Sequence, residues 1–311
     1  MLLNRASVKV VIGTRGSRLA LRQSEIVLSE LKRLFPEILF ELKTIRTGGD
    51  KRPTETPAAS EAIGFFTKEL EEALLSGQID MAVHSLKDLP IRVPKGLEIA
   101  AVTERANPQD VLVTQKRCPL LELPRRSRIG TGSPRRRAQL LYVRPDLDIV
   151  PIRGNVETRI QKIVSQGFQG VVLAACALSR AGIEDAKSSP IPFETMLPAP
   201  GQGALAVEIR SNDERVRKAA SRIDHLPSRL ATASERAFHA FLGGGCQLPL
   251  GALASVEGER LWLEGVLLDP DGNKRIRLSV EGSREKAEEI GELLGKRFKA
   301  EGAEELLHAS R

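Results

Sequence analysis

Three stretches of this 311-residue chain carry side chains whose type and spacing could do chemistry. The least ordinary is Gly243-Gly244-Gly245-Cys246-Gln247-Leu248-Pro249. Three successive glycines strip away side-chain cover and admit positive φ, so the loop can present a thiol at close quarters. A lone cysteine is normally a small buried hydrophobe. Cys118 beside Pro119, and Cys176 within Leu173-Ala174-Ala175-Cys176-Ala177, fit that description, which leaves Cys246 as the one that invites covalent chemistry. The second stretch is His84-Ser85-Leu86-Lys87-Asp88-Leu89-Pro90. Its plain reading makes Asp88 a turn residue ahead of proline and His84 a satisfied core histidine. Its functional reading makes Asp88 the one carboxylate in a cationic cleft, ionised beside positive neighbours and able to stabilise a cationic intermediate or guide a proton.

The third feature occurs twice. Ile12-Gly13-Thr14-Arg15-Gly16-Ser17 and Ile129-Gly130-Thr131-Gly132-Ser133 each put Gly-Thr at a strand's end and Ser where a helix begins. Unpaired amides in a first helical turn, with the helix dipole behind them, make an anion cup. Taken alone, such Ser and Thr residues are N-caps. Arg15 in the first copy and Arg135, Arg136 and Arg137 after the second shift the balance towards a ligand. Helical spacing sends at least one of the three consecutive arginines to solvent. Guanidinium forks match carboxylates in bidentate fashion, and Arg153 and Arg159 extend the set, so a ligand bearing several carboxylates is expected. Phosphate is the competing anion, but the chain has no GxxxxGK[ST] loop and no GxGxxG after a strand.

The formal charge of +7 is concentrated. Between Lys116 and Arg159 eleven basic residues face four acidic ones, which accounts for the whole excess. A focused anion site fits this better than a stripe along a nucleic-acid backbone, and one Trp, one Tyr and nine Phe are few for stacking platforms. Three distant cysteines suggest neither a disulfide framework nor zinc. No run approaches the roughly 18 apolar residues of a membrane span, and the first ten residues have no signal-peptide core. A soluble, cytoplasmic protein is expected, with no nucleic-acid or membrane partner.

These residues need elements to hold them. The first half alternates short apolar runs with helix-period segments, the mark of βαβ units and parallel-type sheets. Strands are expected at 8–14, 40–47 and 79–84, with helices at 17–34 and 65–76. After Thr103 the pattern restarts, with strands at 111–114, 128–131, 148–152 and 171–174, a helix from Ser133 and another at 156–165. Two related domains would explain the restart. A Pro- and Gly-rich stretch at 197–203 precedes a strand at 204–210, where the chain crosses back to the first domain. The last third changes texture: a helix at 228–242, strands at 252–256, 261–268 and 276–280, and a charged, solvated helix at 284–300. The expected fold class is α/β, two hinged α/β domains plus a small C-terminal α+β domain. The expected division is 1–103 with 204–221, then 109–197, then 226–311.

In this order and along essentially the whole length, the motifs resemble the porphobilinogen deaminase family. Besides those above, the resemblance is carried by Phe66-Thr67-Lys68-Glu69-Leu70-Glu71, Arg153-Gly154-Asn155-Val156 and Pro200-Gly201-Gln202-Gly203. It implies two periplasmic-binding-protein-like domains and a small third one. It implies a transferase that condenses four porphobilinogen molecules, with loss of ammonia, into hydroxymethylbilane on a dipyrromethane cofactor held by a thioether to Cys246. It implies that Asp88 is catalytic and also contacts the cofactor, with Ser85, Lys87, Thr131, Ser133, Arg135 and Arg136. Arg15, Ser17, Arg153, Arg159, Arg180 and Gln202 would bind substrate, and the enzyme would be a monomer. One departure stands out: between Thr56 and Phe66 the family has a Gly- and Lys-rich loop, whereas Pro57-Ala58-Ala59-Ser60-Glu61-Ala62-Ile63-Gly64 has no lysine. The nearest cations are Lys51 and Arg52. A solute receptor with an arginine cleft is the rival reading, against which Cys246 and the missing export signal speak.

Overall fold

The computed structural model describes residues 9–48, 67–183, 187–243 and 248–309. Cys246 and the 56–66 stretch, with Lys51 and Arg52, lie outside the described residues. The chain divides into two compact units, Met1–Glu104 with Leu205–Leu226, and Arg105–Ala204 with Pro227–Arg311.

The first unit contains β1 (Lys9–Arg15), α1 (Arg18–Leu34), β2 (Leu39–Ile45), α2 (Lys68–Leu75), β3 (Met81–Ser85) and β4 (Leu97–Val102). Ser17 starts α1 by accepting the Ala20 N–H at 3.3 Å, and Val27 and Leu31 on its buried face meet Ile12, Phe40 and Met81 of the sheet. β1 runs parallel to both β2 and β3, so Arg15 and Ser85 end their strands on the same edge. Numbering in chain order, β10 (Leu205–Arg210) then enters antiparallel between β3 and β4, pairing Ala206 with His84, and α6 (Glu214–Ala220) follows it.

The second unit repeats this plan. It contains β5 (Asp110–Thr114), β6 (Arg128–Gly130), α3 (Pro134–Val143), β7 (Asp148–Val150), α4 (Val156–Ser165), β8 (Gly170–Ala174), α5 (Ala175–Arg180) and β9 (Ser188–Pro190). The sheet orders β2-β1-β3-β10-β4 and β7-β6-β8-β5-β9 correspond place for place. The parallel sheets expected from the βαβ pattern are therefore mixed. In each, the strand that enters straight after the chain crosses between units, β10 or β5, runs against its neighbours. No crossover helix precedes such a strand to reverse the chain direction before it pairs.

The same unit holds a smaller layer: α7 (Leu226–Phe241), the antiparallel meander β11 (Leu250–Glu257), β12 (Arg260–Leu268) and β13 (Arg275–Ser283), then α8 (Ala287–Ala300) and α9 (Ala303–Ala309). Phe238 and Phe298 meet edge to face at 4.8 Å in its core, while α8 buries Ile290, Leu294 and Phe298 and turns its charges outward. The architecture is two α/β domains and a small α+β domain.

Candidate active site

In the first unit a pocket opens at the carboxyl edge of β1 and β3, lined by Arg15, Ala20, Gln23, Thr67, Val83, His84, Ser85 and Asp88. Ligands sit at that edge of open α/β sheets. β1 delivers Arg15, and β3 delivers His84 and Ser85. A single 3-10 turn, Leu86–Asp88, buries Leu86 and leaves Lys87 and Asp88 exposed. The Ser85 hydroxyl and the Gln23 amide engage each other, with Oγ 2.8 Å from Nε2 and 3.1 Å from Oε1. Ser17 is occupied as the cap of α1, and the Thr14 hydroxyl donates inward to Ala20 O at 3.1 Å.

His84 satisfies the core reading: its Nε2 lies 3.1 Å from Glu208 Oε2, and the two side chains are 4% and 0% exposed. Behind it Glu71 of α2 has its carboxyl raised above the ordinary range, by burial first and by the charge of Glu208 in addition.

In the second unit Ser133 caps α3, accepting Arg136 N–H, and the Ser133 N–H donates to Thr131 Oγ1 at 3.2 Å. A side chain at Gly132 would come within 2.9 Å of Ile152 O, so glycine is needed there for the strand and loop to pass. The three arginines separate. Arg137 reaches exposed Asp271, whereas Arg135 and Arg136 are buried on fully buried Asp110. Arg135 Nη1 donates to Asp110 Oδ2 at 2.7 Å, and Arg136 Nε and Nη2 donate to Oδ1 at 3.1 and 2.8 Å. Burial by itself would raise the Asp110 carboxyl, but the two guanidinium charges and their hydrogen bonds outweigh it and hold it far below the carboxylate range. Leu197 O and Val172 O accept further bonds from Arg135 and Arg136. The cluster holds two cations and one anion, and the buried Arg135 Nε has no partner among the described residues.

Gln202 is fully buried and spends its amide on Pro108 O and Asp110 Oδ1, at 2.6 and 3.0 Å. Arg180 donates to Gly203 O at 2.6 Å, and Arg159 Nε donates to Gly154 O at 2.8 Å. Arg153 precedes α4, half-buried, and its carbonyl accepts from Lys162. Residues 15, 85 and 88 are thus gathered in one unit, and 131, 133, 135, 136 and 202 in the other. Sequence reasoning missed Gln23, Asp110 and Glu208. Gln23 did leave a sign, since it is a polar residue four before Val27 on the buried face of α1. Among the described residues no helix is long and apolar enough to cross a membrane, and no cluster of His, Cys, Asp and Glu could hold a metal.

The two α/β halves share one sheet plan, and each follows a Gly-Thr with a serine that caps the next helix. Among solved structures, the Bordetella pertussis BvgS VFT2 domain is 17% identical with a TM-score of 0.40, over 70% of this chain and 85% of that one. The BenM effector-binding domain with benzoate is 16% identical with a TM-score of 0.40, over 69% and 91%. Sequence comparison is more specific. Residues 10–218 match the porphobilinogen deaminase dipyrromethane cofactor-binding domain, and residues 230–300 match the C-terminal domain of porphobilinogen deaminase. Proteins named porphobilinogen deaminase are 46% identical in Pelotomaculum thermopropionicum, over 97% of both chains, and 45% identical in Thermus thermophilus, over 96% of this chain and 98% of that one. The chain belongs to the porphobilinogen deaminase family, transferases of tetrapyrrole biosynthesis that carry a dipyrromethane cofactor.

Proposed function

We propose that this enzyme joins four porphobilinogen molecules head to tail, releasing four ammonia and taking up one water, to give hydroxymethylbilane. The observation that carries the reading is Asp88. It is an exposed carboxylate on the rim of a pocket whose other permanently charged lining residue is Arg15. Loss of the aminomethyl nitrogen leaves positive charge on the pyrrole, and a fixed carboxylate beside that charge lowers the barrier without having to reorganise. Arg15, Ser17, Ser85 and Lys87 then face acetate and propionate arms at the edge of the first sheet.

The dipyrromethane, attached through a thioether to Cys246, supplies when bound the pyrrole carbon that accepts the first substrate. The second unit suits such a group: two buried guanidinium groups share one carboxylate, and an anion would neutralise the surplus and meet the Arg135 Nε. Thr131, Ser133, Arg135 and Arg136 are assigned to the cofactor, and Arg153, Arg159 and Arg180 to substrate carboxylates. Gln202 serves by bracing Asp110. The reading includes division into domains 1–103 with 204–221, 109–197 and 226–311, and a cytoplasmic monomer. The test is incubation with porphobilinogen. One ammonia released per molecule consumed and a four-pyrrole product mass are expected, and an unchanged substrate pool refutes the function.

A further inference from the structure

Glu208 has no place in the roles above, yet it stands directly behind the pocket. It projects from β10, the strand beside β3, and is fully buried, with Oε2 on His84 Nε2 and Oε1 lacking a partner among the described residues. An isolated buried carboxylate is costly, and a histidine contact only half satisfies this one. Glu71, buried on α2 from the other side, likewise leaves Oε1 without a partner among the described residues. Two carboxylates and one neutral imidazole are electrically neutral together only when they hold two added protons, so a proton arriving here finds more than one acceptor. His84 also lines the pocket with Asp88. Since Nε2 is engaged by Glu208, Nδ1 is the ring nitrogen left to face it.

We propose that His84, Glu208 and Glu71 form a proton-holding cluster for the condensation, with Glu208 as the positioning residue that fixes the His84 ring so that Nδ1 serves the pocket. This rests on the function proposed above. Each condensation forms a carbon–carbon bond from a pyrrole carbon to the methylene of the next unit, and breaks the bond from that methylene to nitrogen. The electron pair of the pyrrole C–H bond returns to the ring, and its proton passes to Nδ1 while the Nε2 proton shifts onto Glu208. The reverse movement hands one proton to the departed ammonia, which leaves as ammonium, and no oxidant or reductant is needed. Moving the proton inside a cluster of three acceptors avoids leaving an unpaired charge buried in the sheet. Other charged groups around the cluster are Asp88 and Arg15 at the pocket and Glu72 beside Glu71 on α2; Gln23, Thr67 and Ser85 are neutral.

The chain has four histidines, so 15N-histidine NMR of the whole holoenzyme can follow each, with His84 assigned by His84→Gln. The expected result is a neutral ring with its proton on Nε2, facing Glu208, and an unprotonated Nδ1. In Glu208→Gln the ring is no longer held by a carboxylate, so the signals report a mixture of the two neutral tautomers, kcat falls at least about tenfold, and KM stays within about threefold. Glu208→Asp restores part of kcat. A folded Glu208→Gln with an unchanged kcat and an unchanged tautomer overturns the proposal. Should that variant not fold, the unsubstituted enzyme decides: a neutral His84 with its proton on Nδ1 overturns it as well. Absence of porphobilinogen turnover by the unsubstituted enzyme would instead refute the proposed function, and the NMR result is read independently of it.

Discussion

Replacing Asp110 by Asn takes the anion from between two buried guanidinium groups and points an NH2 at donors. Arg135 and Arg136 are 4% and 6% exposed, so removing the carboxylate leaves both charges largely out of water. Removing one partner of a buried ion pair costs about 3–5 kcal/mol, chiefly because the remaining charge stays buried and unpaired. For a unit of this size each kcal/mol shifts the melting temperature by about 2–4 °C, so Asp110→Asn is expected to melt about 6–20 °C lower. The pH dependence has a definite sign. Asp110 is held below its ordinary value in the folded chain, so its contribution is complete above the unfolded carboxylate pKa of about 3.9 and is lost as pH falls below it. Thermal melts of both proteins between pH 3 and 7, followed by circular dichroism, should draw closer together towards the acid end, without meeting at pH 3. A loss below about 1 °C at pH 7, or a gap that widens in acid, refutes the argument that this carboxylate holds both arginines.

Asp88→Asn should lower kcat at least about a hundredfold while the intact mass still shows the cofactor, because the exposed carboxylate acts on developing charge rather than on folding; normal turnover would remove it from the mechanism. Gly203→Ala should destabilise by about 1–3 kcal/mol, read from denaturant midpoints, since Gly203 has φ +97° and a side chain there would run into Ala106 O. Glu71 is raised in the folded chain, so the native state binds the extra proton and stability falls as pH rises from the ordinary glutamate range through the raised value. Glu71→Gln should flatten that part of the stability profile and match or exceed the unsubstituted chain at pH 8; a steeper decline would contradict it.

Periodicity and caps made much of the scaffold readable before any coordinates. The helix over 156–165 lies where its spacing puts it, and Ser17 and Ser133 do cap the helices that follow the two Gly-Thr motifs. Short elements escaped. α5 follows β8 with no break residue between them, and β9, Ser188-Ser189-Pro190, has no apolar pattern to reveal it. Strand direction escaped too, because alternation in β5 or β10 is the same whether the neighbour runs with it or against it. The candidate pocket was legible in Arg15, Ser85 and Asp88, whose motifs are local. Asp110 and Glu208 were not, since their meaning lies in partners 25 and 124 residues away along the chain. A buried acid looks ordinary in a sequence until the fold supplies its cation.

The central claim is that this family member builds its product on a dipyrromethane tethered to Cys246, and the intact mass of the denatured chain tests it most directly. The expected mass exceeds that of the polypeptide by one dipyrromethane, survives denaturation because the link is covalent, and reverts to the bare polypeptide in Cys246→Ser, which does not turn over. A bare polypeptide mass in a preparation that consumes porphobilinogen, or an adduct that persists in Cys246→Ser, would contradict the account.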